Sequence, residues 1–135
     1  MNTSPLHALR LNPGDDLYKA LDSFTRERNI AAAAILTCVG SLQRTSIRLA
    51  GRKTGTCFEQ KMEILALSGT LSNDGCHAHI TMADGDGKTI GGHLLNESLV
   101  HTTAEIVIIE VAGTRFRRQL DESTGFRELI IDPAD

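Results

Sequence analysis

The sequence is poor in aromatic residues: no tryptophan, one tyrosine and four phenylalanines. That is too few rings, with none interleaved among basic residues, for the stacking platform that grips single-stranded nucleic acid. A basic excess is also missing. Fourteen Lys and Arg stand against seventeen Asp and Glu, a net charge of −3. Domains that hold nucleic acid through its phosphates usually carry a positive surplus or stripe. Cysteine is scarce and odd in number: Cys38, Cys57 and Cys76, with no C-x-x-C pair. This argues against a disulfide framework and fits a reducing cytoplasm. No stretch nears the ~18 apolar residues of a membrane span. The opening MNTSPLHALRLNPGDD holds no apolar run long enough for a signal peptide. A soluble, cytoplasmic protein with no membrane partner is expected.

What is present suits one domain, residues 1–135, large enough to fold around its own core. LHALRL reads as a first strand, and NPGDD as a turn that places Asp15 or Asp16 to cap a helix. Leu17, Ala20, Leu21 and Phe24 recur at helical spacing, and Asn29 is the stop. IAAAAILTCVG is apolar at nearly every position and is expected as a buried strand ending at Gly40. SLQRTSIRLA, FEQKMEILALSGTLS, HAHITMAD, KTIGGHLL, SLVHTTAEIVIIEV and FRELII are six further strand candidates. The fold class is α+β: one main helix on a largely antiparallel, barrel-like sheet. The strand ending EIVIIEV has little polar alternation, so a second subunit is a candidate cover for one of its faces.

Three of the five histidines fall within Gly75–Leu95, GCHAHITMADGDGKTIGGHLL. Alternation along a strand puts His77 and His79 on one face and turns Cys76 to the other, as a core filler. DGDG can reverse the chain and bring His93 opposite the pair, beside two glycines that allow close backbone approach. Three imidazoles at one point suit a divalent metal, with a fourth position left for water or another group. Zinc is the default, while nickel, copper and iron also accept imidazole. The alternative is three ordinary solvent-facing strand histidines. His101 is either a fourth ligand or a polar strand residue. Glu63, expected on one face with Leu65 and Leu67, is either a partner that orients a ligand histidine or a subunit contact.

Other patterns fail. GDGKT lacks the first glycine of a phosphate loop, where Met82 stands, and a strand follows it. DGDGK lacks the terminal Glu of a calcium loop. No G-x-S-x-G surrounds a serine nucleophile, and Ser68-Gly69 reads more simply as a bulge. Arg44, Arg48, Arg52 and Lys53 form one basic cluster and Arg115, Arg117 and Arg118 another. Either suits phosphate, and either also suits a solvated hairpin edge.

The segments RLNPGDDLYKALDSFTRERNIAAAAILTCVGSL, MEILALSGTLS, HAHITMADGDGKTIGGHLL and AEIVI, in this order, resemble the plant and prokaryote conserved (PPC) domain family from about Leu9 to about Leu129. The resemblance implies one helix on an antiparallel sheet and a homotrimer joined through its sheets. It implies a metal site, usually zinc, at His77, His79 and His93. Plant relatives append an AT-hook arm and act in chromatin, which implies DNA as a partner, but these 135 residues hold no R-G-R-P-type arm. A metal-binding, homotrimeric, DNA-associated regulatory module is therefore expected. The alternatives are a small metalloenzyme, with Glu63 or Glu105 as proton acceptor and Glu63 preferred, and a purely structural metal.

Overall fold

A computed structural model of the chain describes residues 3–135. LHALRL forms strand β1, Leu6–Leu11. After the Asn12–Asp16 turn, the Asp16 carboxylate accepts from the Lys19 amide at 3.1 Å and caps helix α1, Leu17–Glu27. Leu17, Leu21 and Phe24 bury the helix's apolar stripe, worth about 1.5–3 kcal/mol for each large side chain. Asn29, at φ 51°, ends it in the left-handed region that Asn tolerates.

Strands β2 (Ala33–Arg48), β3 (Thr56–Phe58), β4 (Met62–Ser72), β5 (Gly75–Ala83), β6 (Thr89–Leu94) and β7 (Leu99–Glu110) follow. They join β1 in one antiparallel sheet of order β1-β7-β2-β4-β5-β6, with β3 beside β2. The far end of β2 also pairs with β6, through Ile47–Leu94 and Arg48–His93. The sheet therefore curls in a barrel-like way without closing. Its concave face and the helix share one core, in which Leu42, Leu71, Ile80, Met82, Leu94, Ile106 and Ile108 are buried. Strands β8 (Thr114–Asp121) and β9 (Phe126–Pro133) form a separate hairpin. It is tied to the body where Ala31 accepts from the Phe116 amide at 2.9 Å and Asp74 accepts from the Arg118 amide at 2.7 Å.

Five expectations are corrected. Gly40 does not end its strand: β2 runs on through it to Arg48. The glycine is needed because a Cβ there would lie 2.1 Å from the Thr103 carbonyl, where β7 bulges against β2. The apolar run is also not buried on both faces, since Leu36 and Val39 are 56% and 59% exposed. Glu63 and Leu67 do not share a face. The β4–β5 register slips between Ile64 and Ala66, which leaves Leu65 out and sends Leu67 into the core. The bulge thus sits at that slip and not at Ser68-Gly69, which pair in register with His79 and Ala78. TRFRRQLD, read only as a basic cluster, is a full strand paired with FRELII and its flanks.

Candidate metal centre

The site begins with a hairpin. Asp84 organises the DGDG turn: its carboxylate accepts from the Asp86 and Lys88 amides, both at 2.9 Å. The turn lays β6 back along β5, with His79 directly opposite His93. His77 and His79 point outward two residues apart, while Ala78 and Ile80 between and beyond them are buried.

Glycines make the convergence tight. A Cβ at Gly91 would sit 2.7 Å from the Ile80 carbonyl, and one at Gly92 would sit 2.8 Å from the Arg48 carbonyl. Both obstacles are backbone, so neither can step aside. Close approach here places His93 next to both β5 and the end of β2.

The Nε2 atoms of His77 and His79 are 3.2 Å apart. Ring centroids are 4.9 Å apart for His77–His79, 5.0 Å for His77–His93 and 5.7 Å for His79–His93. One ring nitrogen from each lies within 4.8 Å of the others. Two nitrogens bound to one tetrahedral zinc at ~2.0–2.1 Å stand ~3.4 Å apart, so the donor set and the closest pair fit such an ion. Burial pushes the His93 pKa down to about 4, helped by His77, Arg48 and His79. Burial, then His79 and Arg118, also lowers His77. Near neutral pH both rings are uncharged and keep a lone pair for a cation.

The remaining candidates fall elsewhere. Glu63 pairs with Ala83, four residues along β5 from His79, or about 13 Å. His101 shares a hollow of about 240 Å³ with Glu63, Ser41 and Asp84 at that far end. Glu105 lies on β7, opposite Val39, three strands across from β5. Among the described residues, the hollows of about 380–390 Å³ beside the histidine cluster are lined by none of these three. Cys76 turns inward as expected, against Thr25 and the core.

A cleft of about 390 Å³ opens beside the cluster. His77 and His93 line it with Tyr18 of α1, Arg48 of β2, and Arg118 and Phe126 of the hairpin. Arg48 and Arg118 thus come together from the two basic clusters, 70 residues apart in sequence. Sequence gave both as arginine-cluster members without placing them near the histidines. Tyr18, Phe126 and Glu128 were not anticipated: without Thr114–Asp121 recognised as the partner of FRELII, nothing placed that hairpin beside the helix and the histidines.

Fold and site together define an α+β protein whose curled antiparallel sheet carries three clustered imidazoles on its outer face. The model of the Plants and Prokaryotes Conserved (PCC) domain matches residues 1–112, and the chain belongs to that family. A hypothetical protein from Salmonella has the same fold, at TM-score 0.93 and 35% identity, over 98% of this chain and 96% of that one. A metal-containing protein from Archaeoglobus fulgidus matches at TM-score 0.81 and 28% identity, over 93% of each chain. Among curated proteins, the bifunctional protein GlmU of a Synechococcus strain is 44% identical over 95% of this chain. AT-hook motif nuclear-localized protein 2 of Arabidopsis thaliana is 27% identical over 76% of this chain and 33% of its own length. The chain spans about a fifth of the length of the GlmU relative.

Proposed function

We propose that this chain is a single metal-binding domain, residues 1–135, that works as a homotrimer in the cytoplasm. His77, His79 and His93 hold a divalent transition metal, zinc by default. The observation that carries this reading is the meeting of three imidazoles from two strands on one outward face. The metal-containing Archaeoglobus protein of the same fold supports it. Bound there, zinc would supply Lewis-acid chemistry with a coordination position left open.

The trimer is supported by Leu36, Val39 and Leu65, which stand 56%, 59% and 55% exposed on the outer face of β2 and β4. An apolar strand face of this kind is normally covered. The cytoplasmic assignment is supported by the three free cysteines. Among the described residues no helix is long and apolar enough to cross a membrane. A DNA-associated regulatory role is supported by the family and by the AT-hook relative from Arabidopsis.

Elemental analysis tests the metal. Protein purified without a histidine tag is expected to carry close to one metal per chain, and the His77→Ala/His79→Ala/His93→Ala variant none. Equal metal in the two overturns the site. DNA binding that ignores sequence and vanishes at modest salt would reduce that role to charge alone.

The cleft favours a second reading, a small metalloenzyme. Glu63 and Glu105 are too distant to accept a proton there, whereas Glu128 and Asp74 line the cleft itself. Loss of ester hydrolysis in His93→Ala, with the fold intact, would select this reading.

A further inference from the structure

The cleft beside the histidines carries charge that the fold does not use. Arg48 and Arg118 both line it and both are half-buried. Among the described residues neither forms an ion pair. Arg118 donates one side-chain hydrogen bond, to Thr70 Oγ1 at 3.1 Å. Arg48 makes no side-chain hydrogen bond among those residues. Its guanidinium lies 5.7 Å from the centre of the Phe126 ring, which orients the plane without using its donors. A guanidinium has five N–H donors, so most of the donor capacity of these two cleft-lining residues is uncommitted among the described residues.

The acidic side chains there do not cancel this charge. Asp74 is engaged by the Arg118 amide at 2.7 Å and by Arg127 at 3.8 Å. Glu128 remains, against Arg48 and Arg118. The two arginines also stand beside His77 and His93, groups that cannot neutralise them. Among the described residues neither arginine has a carboxylate within ion-pair distance, so an anion entering the cleft would meet unpaired positive charge. Arginine's fork suits the paired oxygens of a phosphate or carboxylate. A volume of about 390 Å³ lies at the small-ligand end of the ~300–1,000 Å³ range of binding pockets. Phe126 and Tyr18 give it flat apolar walls.

We propose that this cleft binds a small organic oxyanion, a phosphate monoester or a carboxylate, anchored by Arg48 and Arg118 with its charged end toward the three histidines. The inference deepens the metal reading and rests on it only for the direction the anion faces. The hairpin that supplies Arg118 and Phe126 lies beyond residue 112, where the family match ends. Arg118 and Phe126 thus come from outside the matched region, whereas Arg48 and Tyr18 lie within it.

Phenyl phosphate and benzoate serve as probes, and phenol as the neutral control, in calorimetric titrations of the full chain loaded with zinc. Saturable binding of at least one anion is expected, with phenol silent, and the stronger of the two names the class. Arg48→Met is expected to weaken it about tenfold to a hundredfold, the range of a lost charged hydrogen bond, with metal content unchanged. Arg48→Lys should recover part of the loss. Arg118→Lys, which keeps the charge against Thr70, gives a second reading should Arg118→Met unfold the hairpin.

Equal affinity in wild type and Arg48→Met overturns the proposal, as does phenol binding as well as phenyl phosphate. Displacement by a DNA duplex, dependent on Arg48, overturns the small-molecule assignment. The triple-alanine variant separates the two readings. Arginine-dependent binding without any metal leaves the cleft standing while the metal site fails, and metal binding with no anion binding does the reverse.

Discussion

Along β5, Ala78, Ile80 and Met82 are buried to 2% exposure or less, whereas His77 and His79, alternating with them, face out. The inner residues meet apolar neighbours from the helix and the curled sheet. The outer residues meet each other. A third setting sharpens the contrast. His7, on β1, has a carboxylate partner, with Nε2 2.7 Å from Glu110, and an edge contact with Phe24. That histidine is satisfied by the fold. Among the described residues no carboxylate hydrogen-bonds His77, His79 or His93, and their only mutual hydrogen-bond contact is between two imidazole nitrogens. The difference separates residues that make the fold from residues that the fold presents.

The largest effect is expected on the inner face. Ile80→Ala opens a cavity beneath the site and should cost about 2–5 kcal/mol, read as a lowered urea midpoint. The molecules still folded should hold as much metal as wild type. Loss of metal in parallel with stability would mean that the two faces are not separable.

Gly92→Ala comes next and acts between the faces. Its Cβ would press on the Arg48 carbonyl at 2.8 Å, so β6 and the end of β2 must part. The cost is about 1–3 kcal/mol. Unlike Ile80→Ala, it should also weaken metal binding, because His93 moves with β6. Metal titrations that match wild type would show that the glycine serves packing alone.

The parity of H-x-H, the reversal at DGDG and the third histidine were legible in the sequence because period-two alternation and turn chemistry are local. The helix was legible for the same reason, from Leu17, Leu21, Phe24 and the Asp16 cap. The slip at Leu65 was not. A bulge adds one residue without any sequence mark, and it put Leu67 in the core and Glu63 on the opposite, exposed face. Gly40 was read as a stop because its true reason, the Thr103 carbonyl, lies more than sixty residues on. The arginines of the cleft were visible as residues but not as neighbours, since their meeting depends on how the β8–β9 hairpin docks against Ala31 and Asp74.

A smaller effect on folding, though a large one on assembly, is expected at the apolar part of the outer face. Leu36→Asp/Val39→Asp removes no core contact, so monomer stability should move by no more than about 0.5 kcal/mol. The mass by light scattering should fall from three chains to one. An unchanged mass would place the subunit contact elsewhere and leave Leu36 and Val39 as surface residues.

The smallest effect is a slope. In chelator-treated protein the folded state holds His93 at about 4, against an ordinary value of 6.5. Between those values the unfolded chain binds a proton that the folded chain refuses. Stability therefore rises with pH through this window and is lost as pH falls from about 6.5 toward 4. One group contributes at most one proton to the slope, and His93 is part-exposed, so solvent screening reduces the effect. His93→Asn should flatten the curve measured by urea denaturation across that range, whereas His7→Asn, which removes the histidine already paired with Glu110, should leave the His93 part of the slope in place. A curve as steep in His93→Asn as in wild type would mean that the outer face does not hold its imidazoles uncharged, and the contrast with the paired histidine would lose its electrostatic half.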